Sequence, residues 1–322
     1  MKIGFTTSFP VEIVFAAGHT PVDLNNIFVT GSPAEDTEFA EFNGYPRNVC
    51  AWIKGMYSVA LKNNINTVIG IVEGDCSNTH SLMDTLRDKD IDVITFSFPH
   101  QKNKKKLEEE IFRLENIFDV SHDKVLKAKR RLDRIRKKLV DLDKFTYSEN
   151  KITGSENHYW LINSTDFQGA PDKFEKKLDT FLLEAENRQS FNFQNRLAFI
   201  GVPPIISDLY VFLESLDTNI VFNEIQRQFS MPYLEKNLIN QYSKFTYPYS
   251  VFDRIKDIKQ ECKKRNIDGI ISYVQSFCHR QIDNMLLRKY IDLPFLTLEG
   301  DQPGALDERS KLRIESFIEM LE

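Results

Sequence analysis

The sequence predicts an α/β protein with two parallel-sheet domains and a helical insert between them. Continuous apolar runs, typical of buried parallel strands, occur in both halves, at residues 67–72 and 270–274. Each run is followed by a stretch with helical spacing, and this alternation is the pattern of βαβ units. We therefore expect an N-terminal α/β domain at residues 1–100, a helical insert at 101–190 and a C-terminal α/β domain at 191–322.

The composition is that of an ordinary folded protein. The chain has 322 residues, 41% of them hydrophobic, and a formal net charge of −5. No apolar run reaches the roughly 18 residues that a membrane helix needs. The apolar start is interrupted by Pro10 and Glu12 and has only Lys2 as a basic residue, so we expect no secretory signal and no membrane partner. A cytoplasmic protein with reduced cysteines is the expectation.

The first domain alternates between helices and strands. Its predicted elements are a helix at 9–17, a short strand at 22–24, a loop at 30–48 that is rich in Gly, Ser, Pro and acids, a helix from Cys50 to about 62, a strand at 67–72, a helix to about 87, and a strand at 91–98. No internal repeat other than the two domains is evident.

The insert is basic and helical. Residues 101–138 contain 14 Lys or Arg and 7 Asp or Glu, and apolar residues recur there at spacings of three and four. These helices have either solvated basic faces or a docking face for an acidic partner, for which residues 124–138, with Arg130, Arg131 and Arg134, are the candidates. Aromatic residues are not interleaved with the basic ones, so we expect no nucleic-acid partner.

The second domain repeats the α/β alternation. Its predicted elements are a strand at 196–202, a helix at 203–216, a strand at 219–223, a helix at 252–265, a strand at 270–274, a helix around Met285–Leu287, a strand at 295–298 and a final helix at 309–321.

Three of the four cysteines share one kind of position. Cys76 and Cys278 each follow a buried-type strand and precede a helix, and Cys50 begins a helix. Open α/β sheets bind ligands at the carboxyl ends of their strands, and a helix N-terminus favours a thiolate over a thiol. Cys262 lies in the middle of a charged helix and is expected to be incidental. We expect the other three either to be small buried residues or to meet in one interdomain cleft.

Three thiolates in a cleft suit two kinds of metal site. A [4Fe–4S] cluster with one open iron position is the first, and zinc with His80 or His279 as a fourth ligand is the second. No close pair of cysteines in a C-x-x-C pattern is present, so a zinc ribbon is not expected.

Several segments together resemble the 2-hydroxyacyl-CoA dehydratase and benzoyl-CoA reductase superfamily. The opening PVEIVFAAGHTPVDL is similar to the start of its subunits. GYPRNVCAWIKG, EGDCSNT and DGIISYVQSFCHR resemble its three cysteine blocks, and LPFLTLEGDQPGALDERSKLRIESFIEML resembles its end. The order and spacing of these blocks agree over nearly the whole chain, which is more specific than any one block.

The resemblance, closest to the dehydratase D-component and related to double-cubane cluster proteins, implies a fold, a cofactor and partners. It implies two Rossmann-like α/β domains with a [4Fe–4S] cluster in the interdomain cleft, held by Cys50, Cys76 and Cys278. It also implies an anaerobic lyase or reductase component that receives a low-potential electron from a separate ATP-hydrolysing iron–sulfur activator and acts on an acyl-CoA-like molecule. A homodimer, or a heterodimer with a homologous subunit, is the expected assembly.

Some residues near the cysteines have two interpretations. Glu73 and Asp75 precede Cys76 and either donate protons at the site or cap the next helix. His279 is either a proton donor or a surface residue. Glu299 and Asp301 follow the last strand and either line the cleft, where they would bind substrate, or belong to a simple connection.

Besides a catalytic subunit, the sequence leaves two other classes of function open. The chain is either catalytic, or a non-catalytic electron-transfer or cluster-carrying subunit of a larger complex, or a zinc-bound or metal-free α/β binding protein. It carries no G-x-x-x-x-G-K-[ST] loop, so it should not hydrolyse ATP by itself.

Overall fold

The computed structural model describes residues 1–321 and contains two parallel sheets. The first sheet has the strand order β2-β1-β3-β4, with β1 (Lys2–Phe5), β2 (Thr20–Asp23), β3 (Thr67–Glu73) and β4 (Asp92–Ser97). The helices of this half are α1 (Val11–Ala16), α2 (Leu24–Thr30), α3 (Pro33–Phe42), α4 (Ala51–Lys62) and α5 (Asn78–Arg87).

The second sheet has the equivalent order β6-β5-β7-β8, with β5 (Asn195–Gly201), β6 (Thr218–Asn223), β7 (Gly269–Val274) and β8 (Phe295–Glu299). Its helices are α10 (Leu209–Ser215), α11 (Glu224–Phe229), α12 (Leu238–Lys244), α13 (Val251–Arg265), α14 (Arg280–Tyr290) and α15 (Glu308–Glu319). All strand pairs in both sheets are parallel, which confirms the predicted α/β class with two Rossmann-like sheets.

Between the sheets the chain is helical. The elements are α6 (Lys104–Ile117), α7 (His122–Tyr147), α8 (Gly154–Ile162), a one-turn 3₁₀ helix (Phe167–Gly169) and α9 (Pro171–Glu186). Their apolar faces pack with α1, β3 and β4 in one hydrophobic core. Buried Arg136 of α7 pairs with Glu12 of α1 at 2.6 Å and fixes the insert to the first half. The predicted boundaries at 100 and 190 stay a prediction, and residue 322 lies outside the described residues.

The two halves share a second hydrophobic core. It contains Ile53 of α4 and Val68 of β3 from the first half, together with Leu197 of β5 and Tyr273 of β7 from the second. Because this core runs from one half to the other, it holds the carboxyl ends of the two sheets in a defined relationship.

Some local predictions were wrong. Residues 30–48 are not all loop, because α3 occupies Pro33–Phe42. Pro33 in its first turn and the acids Glu35 and Asp36 are favourable helix-start signals that the composition of the stretch obscured. The helix predicted at 203–216 begins only at Leu209, because Ile206 instead forms an isolated bridge with Gly304.

Other elements were shifted or missed. Strand β1 was not predicted, although it is a central strand of its sheet. The strand predicted at 22–24 ends at Asp23, because the Asp23 carboxylate accepts a hydrogen bond from the backbone N–H of Asn25 and so caps α2, which begins at Leu24. Helices α2, α11 and α12 were also missed.

Candidate metal and substrate site

A cavity of about 280 Å³ lies between the two halves, at the carboxyl ends of their strands. Thr6 and Cys76 enter it from just after β1 and β3, and Asp23 enters it from the end of β2. Val202 and Ser276 follow β5 and β7 on the opposite side. This is the edge where open parallel sheets bind ligands.

The cavity brings together Cys50, Cys76 and Cys278, the three cysteines singled out by the sequence. Cys50 is the N-cap residue of α4, and Cys76 and Cys278 lie two residues before α5 and α14. All three are partly exposed. Cys262 is 5% exposed and packs in a separate core around α13, away from the cavity.

Hydrogen bonds within the second half and between the halves fix the loops of Cys50 and Cys278. The side-chain oxygen of Gln275, just before the Cys278 loop, accepts a 2.8 Å bond from the backbone N–H of Ala51, just after Cys50. Asp301 accepts a 2.6 Å bond from the backbone N–H of Ser276 and another from its hydroxyl group. Cys50 and Cys278 are therefore held by a direct contact between their supporting segments.

The loop before Cys76 depends on a glycine. Gly74 has φ +95°, a conformation that favours glycine, and a Cβ there would lie 2.6 Å from Pro248 and 2.9 Å from Phe98. The next residue, Asp75, accepts a hydrogen bond from the hydroxyl of Tyr247. Burial raises the pKa of Asp75 to about 6.

A chain of buried ion pairs ends at the cavity. Glu224 accepts two 2.7 Å bonds from Arg254, which also donates to Asp283 at 2.9 Å. Asp283 accepts a 3.0 Å bond from Arg280, whose guanidinium group lies over the ring of Tyr247. Arg280 lines the cavity two residues after Cys278. The series of ion pairs therefore places a fixed positive charge beside the thiols.

The expected preference for thiolates is wrong for the metal-free protein. Burial raises the pKa of Cys50 to about 12, and burial also raises the pKa of Cys76 and of Cys278. Backbone N–H groups at the helix starts act in the opposite direction but are outweighed by desolvation. The thiols are therefore protonated, and metal binding must release protons.

The three thiols suit a multi-iron group better than a single ion. Within residues 1–321 no three His, Cys, Asp or Glu side chains converge closely enough to hold one metal ion. A cluster makes a weaker demand, because each thiolate binds a different iron and the sulfur atoms stay farther apart than ligands of one ion. Three soft donors on one cavity, from three helix starts, fit such a group.

The other candidate residues lie in different places. His279 is exposed and lines the cavity. Glu73 is exposed and accepts a bond from the backbone N–H of His100, so it neither lines the cavity nor caps α5. Glu299 and Asp301 lie outside the cavity wall, and Asp301 supports the Cys278 loop instead. His80 also lies outside it, with its Nε2 2.9 Å from the carbonyl oxygen of Val72.

The sequence reasoning missed several cavity residues. Asp23, Asn26 and Trp52 are almost fully buried and line the cavity next to the cysteines. Asp23 lies at the carboxyl end of a strand, where open α/β sheets bind ligands. The argument that identified the cysteines as candidates therefore applies to Asp23 as well. Asn26 and Trp52 lie in first turns of helices, where only the fold shows which side chains face the cavity.

Exposed apolar residues flank Cys278 in the chain, and we call them the apolar rim. Phe277, Ile282 and Met285 are 86%, 67% and 70% exposed. Phe277 also has φ +59°, an uncommon conformation for a bulky residue. Contiguous exposed apolar residues of this kind mark interaction surfaces.

Many charges of the basic stretch are paired within the chain. Arg131 and Lys138 of α7 form ion pairs with Asp172 and Asp179 of α9, and Arg134 lies 3.9 Å from Glu175. Lys129 pairs with Asp133. These contacts account for many of the basic residues of α7 without a partner protein.

The fold and the site define a class: an α/β protein with two parallel sheets and a cysteine-lined cavity at their facing strand ends. The model of the family described as "2-hydroxyglutaryl-CoA dehydratase, D-component" matches residues 6–321, and the chain belongs to this family. No curated protein sequence matches it. None of the helices in residues 1–321 combines the length and the apolar character needed to cross a bilayer.

Proposed function

We propose that the chain is an iron–sulfur subunit of this family, in which Cys50, Cys76 and Cys278 hold a [4Fe–4S] cluster. It acts in ATP-activator-dependent, low-potential reduction or dehydration of an acyl-CoA-like substrate. The observation that carries the proposal is the meeting of these three thiols, and not Cys262, on one cavity at the strand ends.

The bound cluster would supply a single electron at low potential to a substrate in the cavity. The chain's own residues have other tasks. Arg280 supplies a positive charge that favours the thiolates of Cys76 and Cys278 and any negative charge that develops beside them. Gln275 and Asp301 hold the loops of Cys50 and Cys278, and Tyr247 holds the loop of Cys76 through Asp75. His279 lines the cavity next to Cys278, and its pKa is lowered to about 4, so near neutral pH the ring is unprotonated and would take up a proton rather than supply one.

The cavity suits the acyl end of such a substrate. Its volume of about 280 Å³ is at the lower end of small-molecule sites, so only a short acyl group fits inside. The remainder of an acyl-CoA-like molecule would extend through the mouth. Glu299 and Asp301, outside the cavity wall, would contact that extended part if they bind substrate at all.

We place the activator at the apolar rim of Phe277, Ile282 and Met285. Electron transfer requires close approach to the cysteines, and Phe277 directly precedes Cys278. The rim is both exposed and apolar, as an interface core requires. Helix α7 is the competing surface, and its unpaired charges are fewer than the sequence indicated. A homologous or identical subunit completes the proposed assembly.

Metal analysis of anaerobically purified chain tests the cluster. The expected content is about four iron atoms per chain. Cys50→Ala, Cys76→Ala and Cys278→Ala should each lose most of the iron, whereas Cys262→Ala is the matched control and should keep it. Stoichiometric zinc without iron would overturn the proposal, as would iron loss in the Cys262 variant with iron retained in the other three.

Turnover separates an enzyme from a cluster carrier. With a low-potential reductant or the ATP-driven activator, iron-loaded chain and its partner subunit should convert a 2-hydroxyacyl-CoA substrate. Reduction of the cluster without conversion of any such substrate would support a non-catalytic electron-transfer role. ATP hydrolysis by the chain alone would contradict the separate activator.

A further inference from the structure

Besides the cysteines, the cavity wall contains a second polar group of residues, formed by Asp23, Asn26 and Trp52. Their side chains are 2%, 7% and 8% exposed, and all three line the cavity. Asp23 ends β2, Asn26 lies in the first turn of α2 and Trp52 in the first turn of α4. The two helices pack together, with the rings of Phe28 and Trp52 5.4 Å apart. We call this the Asp23 end of the cavity.

Two buried polar atoms at the Asp23 end have no hydrogen-bond partner within the described chain: Oδ1 of Asn26 and Nε1 of Trp52. The amide group of Asn26 is oriented by two bonds that its nitrogen donates, to the carbonyl oxygen of Ile162 and the hydroxyl of Thr165. Oδ1 is therefore a free acceptor, and the indole N–H of Trp52 is a free donor. A buried donor and acceptor without partners are costly, so their presence in a cavity wall indicates a ligand that supplies both.

A second carboxyl group stands behind Asp23. Oδ2 of Asp166 accepts a 2.9 Å hydrogen bond from the backbone N–H of Asp23, and its Oδ1 accepts one from the backbone N–H of Gln168. Burial raises the pKa of Asp23, and burial together with the charge of Asp23 raises the pKa of Asp166 to about 7. Two close, buried carboxyl groups resist full ionisation, so the pair retains a proton near neutral pH.

Other charged and titratable groups share the cavity, and their own titrations have to be separated from that of Asp23. Those that line it are Cys50, Asp75, Cys76, Cys278, His279 and Arg280. They come from the starts of α4, α5 and α14, whereas Asp166 precedes the one-turn 3₁₀ helix.

We propose that Asp23 is the acid–base residue of this cavity, that Asn26 and Trp52 bind a hydroxyl group of the substrate, and that Asp166 positions Asp23. A hydroxyl group donates to Oδ1 of Asn26 and accepts from Nε1 of Trp52, so it satisfies both atoms. The acid form of Asp23 gives its proton to a substrate oxygen, the electron pair of the broken O–H bond stays on the carboxylate, and solvent returns a proton after the product leaves. This inference rests on the proposed function and assigns residues to its substrate end.

Calorimetry with two neutral probes tests the hydroxyl site. 2-Hydroxypropanamide and propanamide differ only in the hydroxyl group. The full-length chain should bind the hydroxylated probe about tenfold more tightly, the value of one or two well-formed hydrogen bonds. Asn26→Leu and Trp52→Phe should remove this preference, and Trp52→Phe does so while keeping the ring that packs on Phe28. Asp84→Asn, at an exposed site on α5, is the control and should bind like the wild type.

Proton exchange tests Asp23 and Asp166. Binding of 2-hydroxypropanamide excludes water from Asp23 and so favours its uncharged form. Measured in buffers of different ionisation enthalpy, binding should therefore be accompanied by proton uptake in the wild type and by none in Asp23→Asn. Asparagine is also a good N-cap, so this variant should fold. Asp166→Asn should keep the uptake but move its pH midpoint downward. Thermal unfolding checks that each variant is folded.

Equal affinity for the two probes, no binding of either, or unchanged proton uptake in Asp23→Asn would overturn this inference. These outcomes are independent of the iron content. A chain that holds iron but does not distinguish the probes would reject the Asp23 end and leave the proposed cluster standing. A chain that distinguishes the probes but never holds iron would reject the cluster and leave the hydroxyl site.

Discussion

The hydroxyl group of Tyr247 donates a 3.1 Å hydrogen bond to Oδ1 of Asp75 and so connects the second half of the chain to the residue before Cys76. Both residues are half-buried and line the cavity, so water only partly replaces the bond when it is removed. Tyr247→Phe should lower the free energy of unfolding by about 1–2 kcal/mol. Iron should also be lost faster, because the Cys76 loop loses a support.

Chemical denaturation and the rate of iron loss to a chelator measure both effects. Tyr290→Phe is a suitable control, because Tyr290 is 42% exposed and packs on Phe252 rather than on a cysteine loop. Equal stability and equal iron retention in the two variants would show that the Tyr247–Asp75 bond does not support the site.

Asp301 and Glu299 offer a matched pair beside the Cys278 loop. Asp301 accepts bonds from the backbone N–H and the hydroxyl of Ser276, whereas Glu299 points into solvent at the end of β8. Asp301→Ala should reduce iron retention several-fold and make the Cys278 thiol more accessible to alkylation in metal-free protein. Glu299→Ala should change neither. If Glu299→Ala instead raised the KM for substrate, Glu299 would be a binding residue.

Asp166 gives a prediction for stability against pH. Its pKa is raised to about 7 in the folded protein and is near the ordinary 3.8 in the unfolded chain. The protonated form is therefore favoured by folding, so its contribution is present below the ordinary pKa and is lost as the pH rises through about 7. Asp166→Asn does not titrate, and its stability relative to wild type should rise by roughly 2–4 kcal/mol between pH 4 and pH 8.

Denaturant titrations of both proteins across this pH range measure the difference, in which distant titratable groups cancel and Asp23 contributes through its coupling to Asp166. The exposed Asp84→Asn variant should show a constant difference from wild type. A constant difference for Asp166→Asn as well would mean that Asp166 is ionised in the folded protein at pH 4.

Two surfaces compete as the docking site of the proposed activator. Ile282→Asp with Met285→Asp places charges on the apolar rim and should slow activator-dependent reduction at least tenfold with iron content unchanged. Arg130→Glu with Lys137→Glu reverses two exposed charges of α7 and should change the rate less than twofold at physiological salt. Stopped-flow reduction of the cluster measures both. Slow reduction only in the α7 variant, with a flattened salt dependence, would assign docking to the basic helix.

The sequence predicted the parallel sheets, and the meeting of the three cysteines on one cavity was one of the two outcomes that it left open. Strands β3 and β7 are continuous apolar runs, and each is followed directly by a cysteine and a helix, so local pattern and site coincide. The short strand β1 was missed because Lys2–Phe5 is too short for a clear period. Its place in the sheet comes from the pairing of Gly4 with both Val22 and Val68.

The rest of the site depended on tertiary contacts. The partners of Asp75 and Ala51 lie more than a hundred residues away, at Tyr247 and Gln275, and no local pattern indicates them. The protonation of the thiols also depends on tertiary structure. The helix starts were visible in the sequence, but the burial that outweighs them was not.

The two sheets have equal strand orders, and the two halves of the chain share a spacing of residues. Tyr45-Pro46 precedes α4 and Tyr247-Pro248 precedes α13, and the interval from Tyr45 to Cys76 equals that from Tyr247 to Cys278. In this alignment the counterpart of Cys50 is Phe252, which is exposed and packs on Tyr290. The two halves therefore contribute different numbers of thiols to the cavity, two from the first and one from the second, so the site is asymmetric although the sheets around it are alike.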